Sequence, residues 1–230
     1  LDGALRYHGL QKYSDWDYRF SFGWPYYTTS EEGGDIDEDS FGEVARDIKS
    51  VVGMPLQASP RYHAFSTREA GTWYLETDSS INTSDDEGGL ELISPPMPLP
   101  QAMEKLAAVF DWMDHNGART DSSTGFHMGV SIPQMENVDY IKLVLFLGDK
   151  YVLEQFGRNA NSYTRSILGK MESYKATDVV RQIPALFQIL SRGLDKVAMK
   201  MLEGMLVPKG EKYTSVNIKD KYIEFRSAGG

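Results

Sequence analysis

The order in which strand-like and helix-like segments follow one another constrains this chain most. Residues 71–78, with W-Y-L-E-T-D, and residues 90–94, L-E-L-I-S, are strand-like runs separated only by an acidic turn at 82–89, and Pro95-Pro96 ends the second. The pair reads as a hairpin. K-Y-T-S-V-N-I-K (212–219) and K-Y-I-E-F-R-S (221–227) read as another. Between them lie helix patterns of unequal length. The first, 100–117, has Pro100 near its start, Met103, Leu106, Phe110 and Met113 on one face, and Asn116-Gly117 at its end. A second covers 138–157. In the third, 177–205, Val179, Ile183, Leu186, Leu190, Leu194, Val197 and Met201 step by three or four residues despite Pro184 and Gly193. A doubly wound parallel sheet needs regular strand–helix alternation, which is absent, so the expected class is α+β with a mostly antiparallel sheet.

Three further segments complete the outline. D-Y-R-F-S-F-G-W-P-Y-Y-T (17–28) alternates as a strand, and Pro25, lacking a ladder donor, restricts it to an edge or a bulge. S-F-G-E-V-A-R-D-I-K-S-V-V-G (40–53) reads as a helix with Ser40 as N-cap, Val44, Ile48 and Val51 apolar, and Gly53 at its end. G-F-H-M-G-V-S-I (125–132) reads as a strand. Trp16, Trp24 and Trp73 are assigned to the core. With 230 residues, 41% of them hydrophobic, one large domain is expected, read as part of a longer chain. A formal net charge of −9 argues against a nucleic-acid surface, which needs clustered Lys and Arg. No apolar run approaches the ~20 residues of a membrane span. The absence of cysteine excludes disulfides and thiolate metal sites. Neither G-x-x-x-x-G-K-[ST] nor G-x-G-x-x-G occurs.

The residues that point to chemistry are polar groups inside strands. Glu76 and Asp78 are two apart and project from one face; Glu91 interrupts an apolar strand; His127 lies between Phe126 and Met128; Asn217, Glu224 and Arg226 sit in the last hairpin. Carboxylates gathered on one face need a hard cation or a basic partner, and Mg²⁺ with oxygen ligands satisfies them. The plainer alternative is a solvent-facing sheet surface, with Glu224 and Arg226 a surface pair and His127 a hydrogen-bonded core residue. Arg158, Asn161 and Tyr163 are either a phosphate clamp or ordinary loop residues.

Taken in order, W-Y-L-E-T-D-S-S-I, G-G-L-E-L-I-S-P-P, S-T-G-F-H-M-G-V, R-N-A-N-S-Y, Y-T-S-V-N-I-K and Y-I-E-F-R-S resemble the amidoligase family, in the carboxylate–amine ligase superfamily with glutamine synthetase and glutamate–cysteine ligase. The resemblance runs from about residue 17 to the end. It implies a curved, mostly antiparallel sheet with helices on one side, an ATP and Mg²⁺ site, and amide formation through an acyl-phosphate. It implies metal ligation by Glu76, Glu91, His127 and Glu224, nucleotide binding by Arg158, Asn161 and Asn217, and catalytic roles for Asp78 and Arg226. The chain departs from the pattern at F-G-W-P-Y-Y, where Pro25 and Tyr27 stand at two positions expected to be glutamate, and at Gly129, where a second histidine is expected.

Three functions follow as expectations. The first is an ATP- and Mg²⁺-dependent ligase joining a carboxylate and an amine on a peptide or cell-wall-like substrate, with Glu31 or Glu32 supplying missing charge. The second is a catalytically degenerate module with a structural or interaction role among other protein subunits, as in a phage virion. The first implies a cytoplasmic location and the second a virion-associated one. The third is a glycosidase using Glu76 and Glu91, which requires carboxyl groups about 5 to 10 Å apart.

Overall fold

The computed structural model describes residues 15–25, 38–82, 87–131, 138, 143, 149–157, 166, 214–219 and 221–228. The pattern at 177–205, residues 139–142 and 144–148 of that at 138–157, and Tyr27, Glu31, Glu32, Arg158, Asn161 and Tyr163 lie outside them. The chain divides into two compact units, Leu1–Pro133 with Ala228–Gly230, and Gln134–Ser227. The described elements confirm an α+β chain with a mixed, mostly antiparallel sheet.

In the first unit, strand β1 (Asp15–Pro25) is followed by helix α1 (Glu38–Val52), β2 (Leu56–Ser59), β3 (Trp73–Thr77), β4 (Glu87–Ile93), β5 (Met97–Pro98), helix α2 (Leu99–His115) and β6 (Phe126–Ser131). The strand order is β2-β3-β4-β1-β6, with β5 extending the β4 side of β1. Only β2–β3 is parallel; β3–β4, β4–β1 and β1–β6 are antiparallel. The expected hairpin is therefore present, but Glu87, Gly88 and Gly89, read as turn, are paired residues of β4.

β1 is an interior strand, against the expectation from Pro25. The proline is accommodated because it is the last residue of the strand. Pairing with β6 stops at Phe20, and Pro25 faces only Glu87 of β4, so no ladder needs its missing N–H on the other side. Strict alternation then sorts the strand. Trp16, Tyr18, Phe20 and Phe22 join Leu90 and Leu92 of β4 and Trp73 and Leu75 of β3 in one buried core.

Both helices cover that apolar face. α1 starts two residues before Ser40, which lies in its first turn rather than at its cap, and Phe41, Val44, Ile48 and Val52 form its buried stripe. Glu38 and Asp39 near its N-terminus and Lys49 in its last turn suit the helix dipole, and Gly53 ends it at φ +60°. In α2 the buried stripe is Leu99, Ala102, Leu106, Val109, Trp112 and Met113, turned from the expected face, so that Met103 and Phe110 are 54% and 42% exposed. Trp112 decides the orientation: it stacks on Trp24 at 4.8 Å with the rings 3° from parallel, a larger apolar contact than Phe110 offers in its place.

In the second unit the described elements are helix α3 (Asp149–Gln155) and the antiparallel hairpin β7 (Val216–Ile218) and β8 (Ile223–Phe225), which falls within the expected pair of strands. Among the described residues no helix is long and apolar enough to cross a membrane.

Candidate functional site: a buried carboxylate face

The opposite face of the first unit's sheet carries the residues that cannot join the core. Reading across the strands, Ser21 of β1 pairs with Glu91 of β4, and Glu91 with Glu76 of β3; one step along, Gly23 pairs with Gly89, whose carbonyl accepts the N–H of Asp78 at 2.8 Å. Antiparallel register thus puts Glu76 and Glu91 side by side and Asp78 beside them. All three are buried, at 2%, 8% and 9% exposure. A solvent-facing sheet surface is therefore ruled out for these carboxylates.

What covers them is the loop from 60 to 72. The N–H of Ala64 donates to Glu76 Oε2 at 3.0 Å, and His63 Nδ1 lies 3.8 Å from Glu76 Oε1. Phe65 packs on the Tyr74 ring at 4.8 Å, Arg68 lies over the same ring, and the N–H of Glu69 donates to the Tyr74 hydroxyl at 2.6 Å. From β1, Arg19 Nε approaches Glu91 Oε1 at 3.6 Å.

The electrostatic result is a strained acid pair. Burial pushes the Glu91 carboxyl up to about 7; the Arg19 charge opposes the rise, while the Asp78 and Glu76 charges and a hydrogen bond with Glu76 add to it. Near neutral pH the Glu91 carboxyl therefore keeps a proton part of the time. Burial also tells against the glycosidase expectation: at 2% and 8% exposure Glu76 and Glu91 do not face an open cleft that a sugar could enter.

Asp78 answers partly to its own turn. Its Oδ1 accepts the N–H of Ser80 at 2.9 Å and the Ser80 hydroxyl at 2.5 Å. Gly89 is obligatory beneath it, since a Cβ there would sit 2.2 Å from the Asp78 carbonyl oxygen. His127, half-buried on β6, pairs in register with Arg19. Gly129 pairs with Asp17, and a Cβ at Gly129 would lie 2.0 Å from Asp17 Oδ1, so the Asp17 carboxylate occupies the space a side chain at 129 would need.

In the second unit, Asn217 Nδ2 donates to Glu224 Oε2 at 2.9 Å, and Lys219 Nζ and Arg226 Nη1 each lie 3.7 Å from the same oxygen. Asn217 Oδ1 accepts the Thr214 hydroxyl at 2.6 Å. The Glu224 and Arg226 side chains are only 14% and 10% exposed, so they are not a solvated surface pair.

Asp17, Arg19, His63, Arg68, Glu87 and Arg119 were not singled out from sequence. Asp17, Arg19 and Ser21 alternate with Tyr18, Phe20 and Phe22, the same period-two signal that identified Glu76 and Asp78. Glu87 was concealed by the acidic run around it; it faces Pro25 in register and is bonded by Arg119. His63 and Arg68 lie in a loop without periodicity and gave no signal.

The family described as "Putative amidoligase enzyme" matches residues 39–154, half of the chain, from α1 to α3. The chain belongs to the amidoligase family. The matched span contains Glu76, Asp78, Glu91 and His127, while β1 and the β7–β8 hairpin fall outside it. No curated protein and no solved structure matches this amidoligase.

The donor chemistry of the amidoligase's carboxylate face suits Mg²⁺, which takes oxygen ligands and is held by one or two carboxylates together with waters and substrate phosphates. Among the described residues no group of three His, Asp or Glu side chains gathers to hold a metal ion.

Proposed function

We propose that this amidoligase is an ATP- and Mg²⁺-dependent carboxylate–amine ligase that forms an amide through an acyl-phosphate, on a sheet curved in the manner of a glutamine synthetase catalytic domain. The observation that carries the reading is the buried, register-paired Glu76 and Glu91 on the face turned away from the helices. A structural core gains nothing from two adjacent carboxylates, whose mutual repulsion and desolvation oppose folding. A site that exchanges a proton for a cation does gain. Glu76 and Glu91 would hold Mg²⁺, which when bound neutralises phosphate charge.

Each of the chain's own groups has a task in this reading. Arg19 orients Glu91 and limits its protonation. The Ala64 N–H fixes one Glu76 oxygen, and the loop over it excludes water, which strengthens every charge interaction beneath. Asp78, anchored by Ser80, faces the substrate side. Nucleotide contacts by Arg158, Asn161 and Asn217, a catalytic role for Arg226, and ligation by His127 and Glu224 belong to the same proposal, as does a peptide or cell-wall-like substrate.

Calorimetric titration with ATP and Mg²⁺ tests it. Metal-dependent binding with proton release, lost in Glu91→Gln, is the expected result. Equal binding by wild type and Glu91→Gln would sink the assignment. A second reading, a catalytically silent module of a larger assembly, is favoured by one observation: Glu87, facing Pro25 where a glutamate is expected, is already engaged by Arg119. That reading requires no ATP binding with any divalent metal.

A further inference from the structure

Next to the carboxylate face is a cavity of about 160 Å³ whose lining includes Gly23, Asn82, Glu87, Arg119, Asp121 and Thr124. Gly23 pairs with Gly89, two residues before Glu91 on β4. At about 3.4 Å per residue that is roughly 7 Å along the strand. The cavity therefore lies near the acid pair, one step along the same strands, without being lined by it.

Its walls are held in place. Arg119 and Gly23 exchange two backbone hydrogen bonds of 2.7 and 2.8 Å. Arg119 Nη2 bonds Glu87 Oε2; the Glu87 side chain is only 10% exposed, while that of Arg119 is 63% exposed. Among the described residues its hydrogen bond goes to Glu87, and its charge also acts on Asp121, so a ligand entering the cavity can take the remaining N–H donors between the two. Asp121 Oδ1 accepts the N–H groups of Ser123 at 2.6 Å and Thr124 at 3.2 Å and the Ser123 hydroxyl at 2.5 Å. Among the described residues Asp121 Oδ2 accepts none. The Asn82 N–H donates to Ser123 Oγ at 2.9 Å and ties the neighbouring turn to this one.

What remains available is one forked cationic donor and one anionic acceptor, both on fixed backbone. Among the described lining residues Glu87 and Asp121 against Arg119 leave one negative charge in excess. A bare anion meets net repulsion there, a phosphate dianion more than a carboxylate, whereas a molecule carrying both poles meets a partner for each. We propose that this cavity binds the zwitterionic head of an amino acid, free or at a peptide end, with its carboxylate on Arg119 and its ammonium on Asp121, as the amine substrate. The assignment of the bound amine as a substrate rests on the ligase reading.

The test is ¹⁵N NMR titration of the full chain with glycine, sodium acetate, methylamine and inorganic phosphate, without ATP or Mg²⁺. Glycine is expected to shift the amides of Asn82 and of residues 119–124, with acetate and methylamine at least tenfold weaker. Arg119→Ala is expected to weaken glycine at least tenfold. Because it leaves Glu87 buried without its cation, Asp121→Asn provides the second arm. It keeps Oδ1 for the turn and removes only the charge, and is expected to abolish the preference for glycine over acetate. No glycine-induced shift, or acetate or phosphate binding as tightly as glycine, overturns the proposal. Glycine binding without any ATP binding would instead refute the ligase reading and leave the subsite standing.

Discussion

Replacing Glu91 by Gln removes a charge from the acid pair while keeping its volume, and its effect on stability must depend on pH. In the folded chain burial and the neighbouring Asp78 and Glu76 charges, opposed by Arg19, raise the Glu91 carboxyl from its ordinary 4.5 to about 7. At about 1.36 kcal/mol per pH unit, ionised Glu91 then costs the folded state on the order of 3 kcal/mol. The sign follows from proton uptake. Below pH 4.5 the carboxyl is protonated folded and unfolded, and the penalty is absent. Between 4.5 and about 7 the unfolded chain gives up its proton first, so stability falls as pH rises through that window. Above about 7 the full penalty persists. Gln cannot ionise, so Glu91→Gln should gain on wild type by about 3 kcal/mol between pH 4.5 and pH 8, on the order of 6 to 12 °C in Tm. Thermal melts of both proteins across that range measure it. A Tm difference that stays constant with pH would refute the reasoning, because it would mean that Glu91 titrates alike in the folded and unfolded chain.

Mg²⁺ should compete with the proton on Glu91, so at pH 6 its addition should release protons into weak buffer, and Glu91→Gln should lower that release by at least half. Gly89→Ala places a Cβ 2.2 Å from the backbone oxygen of Asp78, which no side-chain rotation relieves; a loss of more than about 3 kcal/mol in urea unfolding, or no folded protein, is expected. Gly129→Ala meets only the Asp17 carboxylate, with Oδ1 at 2.0 Å, and should cost about 1 to 3 kcal/mol; Asp17→Ala in the same chain should restore most of it, and additive losses would contradict the contact. Trp73→Ala should cost about 3 to 5 kcal/mol in the same assay, since this side chain is fully buried between sheet and helices.

What the sequence determined follows from periodicity. Alternation in residues 17–28, 71–78 and 125–132 defined strands of one-sided hydrophobicity, so the spacing of Glu76 and Asp78 put them on one face and Glu91 stood out in an apolar strand, while burial and register decided that the three form one group away from solvent. The three-and-four spacing in 40–53 and 100–117 likewise fixed two helices to within a residue or two at each end. Strand order is a property of the packed sheet, and only the tertiary structure decided it. Pro25 argued for an edge, yet β1 is interior because its pairing to β6 ends five residues before the proline. The partners of the carboxylates were decided in the same way. Arg19 reaches Glu91, the loop at 60–72 covers Glu76, and Arg119 meets Glu87 across 32 residues of chain because antiparallel register and a loop crossing bring together positions that share no local pattern. Periodicity reports which face a side chain occupies, and it is silent on which other side chain it meets there.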